Sequence, residues 1–145
     1  MPSHQHEDFG PLLDTLIRFA KQCLEKQGTF LPFGAAMLAD RTISHVAGHT
    51  GEERPGAPRV LQSLEGALRA TAAKDGLRAV GICVDIRFAS FPDEPKTDAI
   101  QVFLEHCEGN VVNVLLPYRK KSPGQVSYAK LIAIRAEPKI FIAIQ

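Results

Sequence analysis

Two histidines have the spacing of a metal-binding pair on a helix, because His45 and His49 are four residues apart. The chain from Thr42 to Ala47 instead has the composition of a strand, which ends at Gly48. On an extended chain this spacing separates the two side chains by roughly 13 Å, whereas metal–nitrogen bonds are about 2 Å long. We therefore expect two surface or sheet-edge histidines, with contact to a ligand or partner as the alternative.

A third histidine lies in the segment 103–114, which predicts a β-hairpin. A three-residue loop from Glu108 to Asn110 places His106 beside Val112, at the end of an apolar row. We expect His106 to be a core-edge histidine bonded to a backbone carbonyl, with a ligand contact or a pH-sensitive group as the alternative. Cys107 follows in the same strand and is expected to point to the opposite face, which excludes a shared metal and a thiol activated by His106.

The same hairpin register predicts a polar cluster on one face of the sheet. It places Glu105 opposite Asn113, and Asp85 and Arg87 are expected as neighbours from the preceding strand. Such a cluster is either a solvated face or a surface for a peptide or small ligand.

Composition limits the classes of function. Of the 145 residues, 45% are hydrophobic and 23% are charged, which is typical of a globular domain. A net charge of +1 gives no electrostatic reason to expect binding to nucleic acid or to a membrane. Cys23, Cys83 and Cys107 are an odd number of separated cysteines, which indicates reduced thiols and a cytoplasmic protein. No motif predicts a cofactor, a resident metal or a catalytic residue.

Two amphipathic helices are predicted. After a loose leader over residues 1–8, apolar residues recur at helical spacing from Phe9 to Lys26, with Gly28 as the stop. Pro58 opens a second helix that ends at Asp75-Gly76, and on its solvent side Glu65 and Arg69 have the spacing of an ion pair. Residues 9–145 are expected to form a single domain.

The remaining segments predict a single antiparallel sheet of five or six strands, in an α+β fold of element order α-β-β-α-β-β-β(-β). We expect the even-numbered residues to form one apolar face that packs both helices, and the other face to be mixed. Tyr118 and Tyr128 should form a cross-strand pair. Pro32 and Gly34 suggest an edge position or a bulge for the first strand. The predicted strands are 29–38, 42–47, 77–88, 98–107, 111–118 and 126–134, with an exposed loop over 48–58 and a docked strand or apolar tail over 138–145.

The order helix, two strands, helix and meander resembles that of profilin-like and roadblock-like domains. That resemblance implies a dimerising or protein-binding module. Short segments in the C-terminal half, such as Leu116-Pro117-Tyr118 and Ala136-Glu137-Pro138, resemble a family of short uncharacterised bacterial proteins. That second resemblance implies no activity.

The segment from Phe30 to Ala36, followed by a helix near Val60, resembles the opening of zinc-dependent nucleoside and base deaminases. In that family a His-Ala-Glu helix start supplies a zinc ligand and a proton-transfer glutamate, and a PCxxC motif supplies two further ligands. Here Ala57, Pro58 and Arg59 stand at the matching positions, and no PCxxC follows. The resemblance therefore implies the scaffold without its chemistry.

Two functional hypotheses follow. The first is a non-enzymatic interaction module, a homodimer or a binder of another protein, that uses the mixed sheet face or the loop 48–58. The second is a small-molecule-binding protein or a catalytically degenerate relative on a deaminase-like scaffold, with Arg59, His45 or His49 near the pocket.

Overall fold

The computed structural model describes residues 5–89 and 92–141. Within them the element order is α-β-β-α-β-β-β-β-β, which confirms the α+β prediction. The elements are α1 (Phe9–Gln27), β1 (Phe33–Met37), β2 (Ile43–Ala47), α2 (Ala57–Asp75), β3 (Ala79–Phe88), β4 (Thr97–His106), β5 (Val111–Ser122), β6 (Gln125–Tyr128) and β7 (Ile132–Ile134).

All strand pairs between these elements are antiparallel, and the spatial order is β2-β1-β3-β4-β5-β6. β7 pairs with β5 beside β6, so the sheet has seven strands. The predicted strand 126–134 is interrupted after Tyr128, where Ala129 still donates its N–H to the carbonyl of Pro117. The predicted Tyr118–Tyr128 pair is confirmed.

Both helices begin and end close to the predicted residues. Gly28 follows α1 and Gly76 follows α2 as C-caps, and their φ angles of 80° and 66° are left-handed, which suits glycine at a helix C-terminus. Pro58 lies in the first turn of α2, where its missing N–H removes no helical hydrogen bond. Glu65 and Arg69 form the predicted pair at 3.8 Å.

The two helices cover opposite faces of the sheet, which corrects the prediction of one helix-packing face. Val80 of β3 lies opposite Glu105 of β4, and Ala79 lies opposite His106. Even-numbered residues of β3 therefore share a face with odd-numbered residues of β4. We call one side of the sheet the α1 face, where Leu104 belongs to the hydrophobic core under α1. The other side is the α2 face, where Val80 belongs to the hydrophobic core under α2.

The hairpin between β4 and β5 has the predicted loop length but starts one residue earlier. The loop is 107–109, closed by a bond of 2.8 Å from the N–H of His106 to the carbonyl of Asn110. Gly109 takes a φ of 104°, which favours glycine. Glu105 therefore lies opposite Val111, and Asn113 lies opposite Phe103; the predicted Glu105–Asn113 pair is wrong.

β1 lies inside the sheet, between β2 and β3, with all five residues buried. The predicted edge position or bulge is wrong, because Pro32 precedes the strand and Gly34 pairs regularly with Val46 and Ile82. A Cβ at Gly34 would lie 2.8 Å from the carbonyl oxygen of Gly81. The glycine allows the close approach of two backbones.

We expect Gly34→Ala to destabilise the protein by about 1 to 2 kcal/mol, because two paired strands must separate to admit the methyl group. Gly66→Ala is the matched control, since within the described part of the chain a Cβ there meets nothing within 4 Å and alanine favours a helix interior by about 0.5 to 1 kcal/mol. Urea denaturation of both variants measures the difference. Equal stability of the two variants would contradict the close-approach explanation.

The chain after β7 returns across the α2 face, where Ile140 is fully buried. Of the predicted apolar end, Ile142 and Ile144 lie outside the described residues. Among residues 5–89 and 92–141, no helix is both long enough and apolar enough to cross a membrane.

Candidate functional site

A buried carboxylate organises one end of the α1 face. Asp8 is 3% exposed, and its Oδ2 accepts hydrogen bonds from His106 Nε2 at 2.8 Å and Arg78 Nη2 at 2.9 Å. Its Oδ1 accepts a bond from Arg41 Nε at 3.2 Å. We call these four residues, with His6, the Asp8 cluster.

The ionised form of Asp8 is stabilised by its partners. Burial would raise the pKa of this carboxyl, but the hydrogen bonds from His106, Arg78 and Arg41, together with the charge of Arg78, lower it to about 2. An ionised carboxylate only accepts hydrogen bonds, so Nε2 of His106 carries a proton, while its Nδ1 accepts the backbone N–H of Glu108 at 3.2 Å.

Residues 5–8 differ from the loose leader predicted for residues 1–8, of which residues 1–4 lie outside the described chain. The His6 ring stacks on the His106 ring with centroids 3.6 Å apart. The N–H of Asp8 donates to His6 Nδ1 at 3.0 Å. Asp8 immediately precedes α1 but makes no side-chain cap, because its carboxylate is bound by the cluster.

Three nearby groups have the donor set of a metal site, since ligand atoms of His6, His106 and Glu108 lie within 4.8 Å of one another. The two imidazole planes are only 17° apart in their stack, so in-plane lone pairs run side by side and do not converge. Nδ1 of His6 and Nδ1 of His106 also accept backbone N–H groups, from Asp8 at 3.0 Å and Glu108 at 3.2 Å. As arranged, these groups fix the chain before α1 and do not present three convergent ligands.

Cys107 corrects the prediction that a thiol here could not reach His106. β4 ends at His106, and Cys107 is the first residue of the loop. Its Sγ lies 3.8 Å from His106 Nδ1, on an exposed residue. The turn therefore brings together two side chains that a continuous strand would separate.

An open groove of about 630 Å³ lies beside the cluster, on the α1 face. Leu104, Val112 and Val114 line it from the sheet, and Ala133 lines it from β7. Residues 5–7 supply the polar side. The groove combines apolar walls with a few polar groups, as small-molecule sites do.

The edge strand β7 exposes apolar side chains. Ile132 and Ile134 are 40% and 41% exposed, and the preceding Leu131 is 52% exposed. β7 pairs with β5 on one side, and within the described chain its other side pairs with no strand. An open, apolar edge is a template for pairing with another strand.

Glu105 of the predicted polar cluster anchors the C-terminal segment. It is 2% exposed, and its carboxylate accepts the N–H groups of Lys139, Ile140 and Phe141 at 2.8, 2.9 and 3.0 Å. Asn113, on the same face, holds a buried Oδ1 that has no hydrogen-bond partner among residues 5–89 and 92–141.

Asp85 and Arg87 lie on the α1 face, whereas Glu105 and Asn113 lie on the opposite, α2 face of the sheet. The hydroxyl of Tyr118 donates to Asp85 Oδ1 at 2.6 Å. Burial is the largest cause of the raised pKa of Asp85, and the Tyr118 bond opposes it. Arg87 pairs with Asp98 at 3.6 Å, so these two predicted residues have local partners.

The other predicted residues lie on the edge strand β2, in the loop that follows it and at the start of α2. His45 is exposed on β2, with its ring 5.7 Å from that of Phe19. The backbone N–H of His49 donates to Ser63 Oγ at 3.1 Å. Arg59, at the start of α2, pairs with Glu52 at 2.8 Å. The structure therefore does not bring the eight predicted residues into one site.

The residues missed from the sequence are the apolar residues of β7 and four members of the cluster: His6, Asp8, Arg41 and Arg78. Asp8 carried one signal, since an aspartate before a predicted helix is an expected cap. Nothing local marked Arg78, whose contact with Asp8 spans 70 residues of sequence.

Comparisons with protein-family models, curated proteins and solved structures found no match.

Proposed function

We propose that this protein is a non-enzymatic interaction module that forms a homodimer by pairing β7 with β7 of a second copy. The single observation that carries the proposal is the open edge of β7, where Leu131, Ile132 and Ile134 are all at least 40% exposed. Few apolar residues of that size are so exposed in the described chain, and three of the six lie within four consecutive positions.

An antiparallel pairing centred on Ala133 is self-complementary. It sets Ile132 opposite Ile134 of the second copy on the α2 face, twice by symmetry. On the α1 face it sets Leu131 opposite Arg135, whose aliphatic stem can cover the leucine. So short a ladder falls below the standard interface of about 1,600 Å², so a dissociation constant on the order of micromolar is expected.

Charge at the ends of β7 gives the dimer a characteristic salt dependence. Lys130 and Arg135 flank the apolar run, and the two-fold pairing brings these like charges near one another. Because salt screens exposed charges, we expect the dimer to tighten as salt is added. An acidic partner strand would instead bind more weakly at high salt.

The double variant Ile132→Lys with Ile134→Lys should be monomeric at concentrations at which the wild type is dimeric. Lysines at both positions remove the cross-strand apolar pairs and place four like charges at the interface. Light scattering coupled to size-exclusion chromatography measures the mass.

The matched control places lysines at Leu31 and Leu38, which are 49% and 39% exposed outside β7. That variant should dimerise like the wild type. A monomeric wild type, or a lysine pair in β7 that leaves the dimer intact, would disprove the proposal.

A second candidate function, binding of a small apolar molecule, is favoured by the groove next to His6. Gly10 lines this groove, and a Cβ there meets no atom of the described residues within 4 Å. Gly10→Leu should therefore fill the groove without distorting α1. Native mass spectrometry of the purified wild type should show a retained molecule that this variant lacks. A wild-type protein that carries no added mass would count against this candidate, and that result would not bear on the dimer proposal.

A further inference from the structure

A thiol, an imidazole and a carboxylate form a continuous chain beside the β4–β5 loop. Cys107 Sγ lies 3.8 Å from His106 Nδ1, and His106 Nε2 lies 2.8 Å from Asp8 Oδ2. This is the order of a nucleophile, a base and a group that orients the base.

The hydrogen bonds fix which nitrogen of His106 accepts a proton. Asp8 accepts the hydrogen bond donated by Nε2, so the lone pair is on Nδ1, which lies 3.8 Å from the thiol sulfur. The N–H of Glu108 points at the same lone pair at 3.2 Å, which is a second indication that Nδ1 is unprotonated.

We propose that Cys107 is a site of thiol–disulfide exchange with low-molecular-weight disulfides, with His106 as the general base and Asp8 as the residue that positions it. Cys107 Sγ attacks one sulfur of the disulfide while its proton passes to His106 Nδ1, which gives up its hydrogen bond from the Glu108 N–H. The new S–S bond forms as the old one breaks, and the leaving thiolate takes the electron pair and then a proton.

The imidazolium formed in this step would lie between two carboxylates. Asp8 holds Nε2 at 2.8 Å, and Oε2 of Glu108, which is bonded to His6 Nε2 at 3.1 Å, lies 3.5 Å from Nδ1. The His6 ring stacks on its face, and Arg78 and Arg41 approach it only through Asp8. The pair of carboxylates favours transfer of the proton to the ring.

The base is needed because the resting thiol keeps its proton. Burial and the charge of Glu108 raise the pKa of Cys107, so thiolate is scarce at neutral pH. Cys83 is fully buried and Cys23 is partly buried, so Cys107 is the most exposed thiol of the three.

Reaction of the folded protein with dithiobisnitrobenzoate, followed by release of the coloured thiolate, tests this proposal. We expect one fast-reacting thiol, absent from Cys107→Ser. Asp8→Asn should slow it about tenfold at neutral pH, less than the roughly 10²- to 10⁴-fold of general-base catalysis, because the imidazole itself remains. It should also restore the steep fall in rate with decreasing pH that an unassisted thiol shows.

Glu108→Gln distinguishes general-base catalysis by His106 from a simple effect of the Glu108 charge on the thiolate. The variant changes an exposed side chain. Loss of that charge should raise the rate if thiolate abundance alone controls it, and lower the rate if the carboxylate supports the imidazolium. Asp14→Asn, an exposed carboxylate on α1, should leave the rate unchanged. A faster Glu108→Gln, or a wild-type thiol no faster in its folded state than Cys23, overturns the assignment even if Asp8→Asn fails to fold.

Discussion

Glu105→Gln is expected to destabilise the protein by about 3 kcal/mol, because hydrogen bonds to a buried charged acceptor contribute about 1.5 to 3 kcal/mol each. The carboxylate accepts three consecutive backbone N–H groups, at 139–141. Glutamine keeps one acceptor oxygen and turns an N–H donor toward the N–H groups. At least one buried N–H then has no acceptor.

The loss should be concentrated in the C-terminal segment. We expect faster amide hydrogen exchange at residues 139–141, where Ile140 is fully buried on the α2 face, together with a lower denaturation midpoint. Glu137→Gln is the matched control, since it changes an exposed side chain of the same segment and should shift stability by less than about 0.5 kcal/mol. Unchanged exchange in Glu105→Gln would show that the anchor is not needed.

Asp8→Asn is expected to destabilise the protein by about 2 to 3 kcal/mol at neutral pH. The pKa of Asp8 falls from its ordinary 3.8 to about 2 in the folded state, which corresponds to about 2 kcal/mol. Asparagine also turns a donor toward Arg78 or His106, each of which donates to Asp8.

The pH dependence of this contribution has a definite sign. Because the folded pKa lies below the unfolded one, ionised Asp8 stabilises the protein fully above about pH 5, and the contribution is lost as the pH falls toward 2. The difference in stability between wild type and Asp8→Asn should therefore shrink over that range.

Denaturant titrations of both proteins at several pH values measure this difference. Asp14→Asn is the control, because its side chain is 66% exposed and its contribution should be less than about 0.5 kcal/mol. If the difference in stability between wild type and Asp8→Asn stays constant from pH 7 to pH 2, the negative charge of Asp8 is not what stabilises the protein.

The sequence by itself determined the elements that depend on local rules. Apolar spacing and terminal glycines located both helices, and the Tyr118–Tyr128 pair followed from a short turn between two strands. The hairpin was placed with the correct loop length, because only a three-residue loop keeps its apolar residues on one face. Local propensity did not distinguish Glu108 from Cys107 as the first loop residue.

Tertiary structure alone decided how the faces were used and which polar groups met. The register between β3 and β4, which are joined by the connection 89–96, decides which of their residues share a face of the sheet. That register places Asp85 and Glu105 on opposite faces. His106 meets Asp8 across 98 residues of sequence, and Glu105 meets the chain at 139–141 more than 30 residues later. Such contacts form only when separate elements pack together, because a buried charge must find its partners wherever the fold places them.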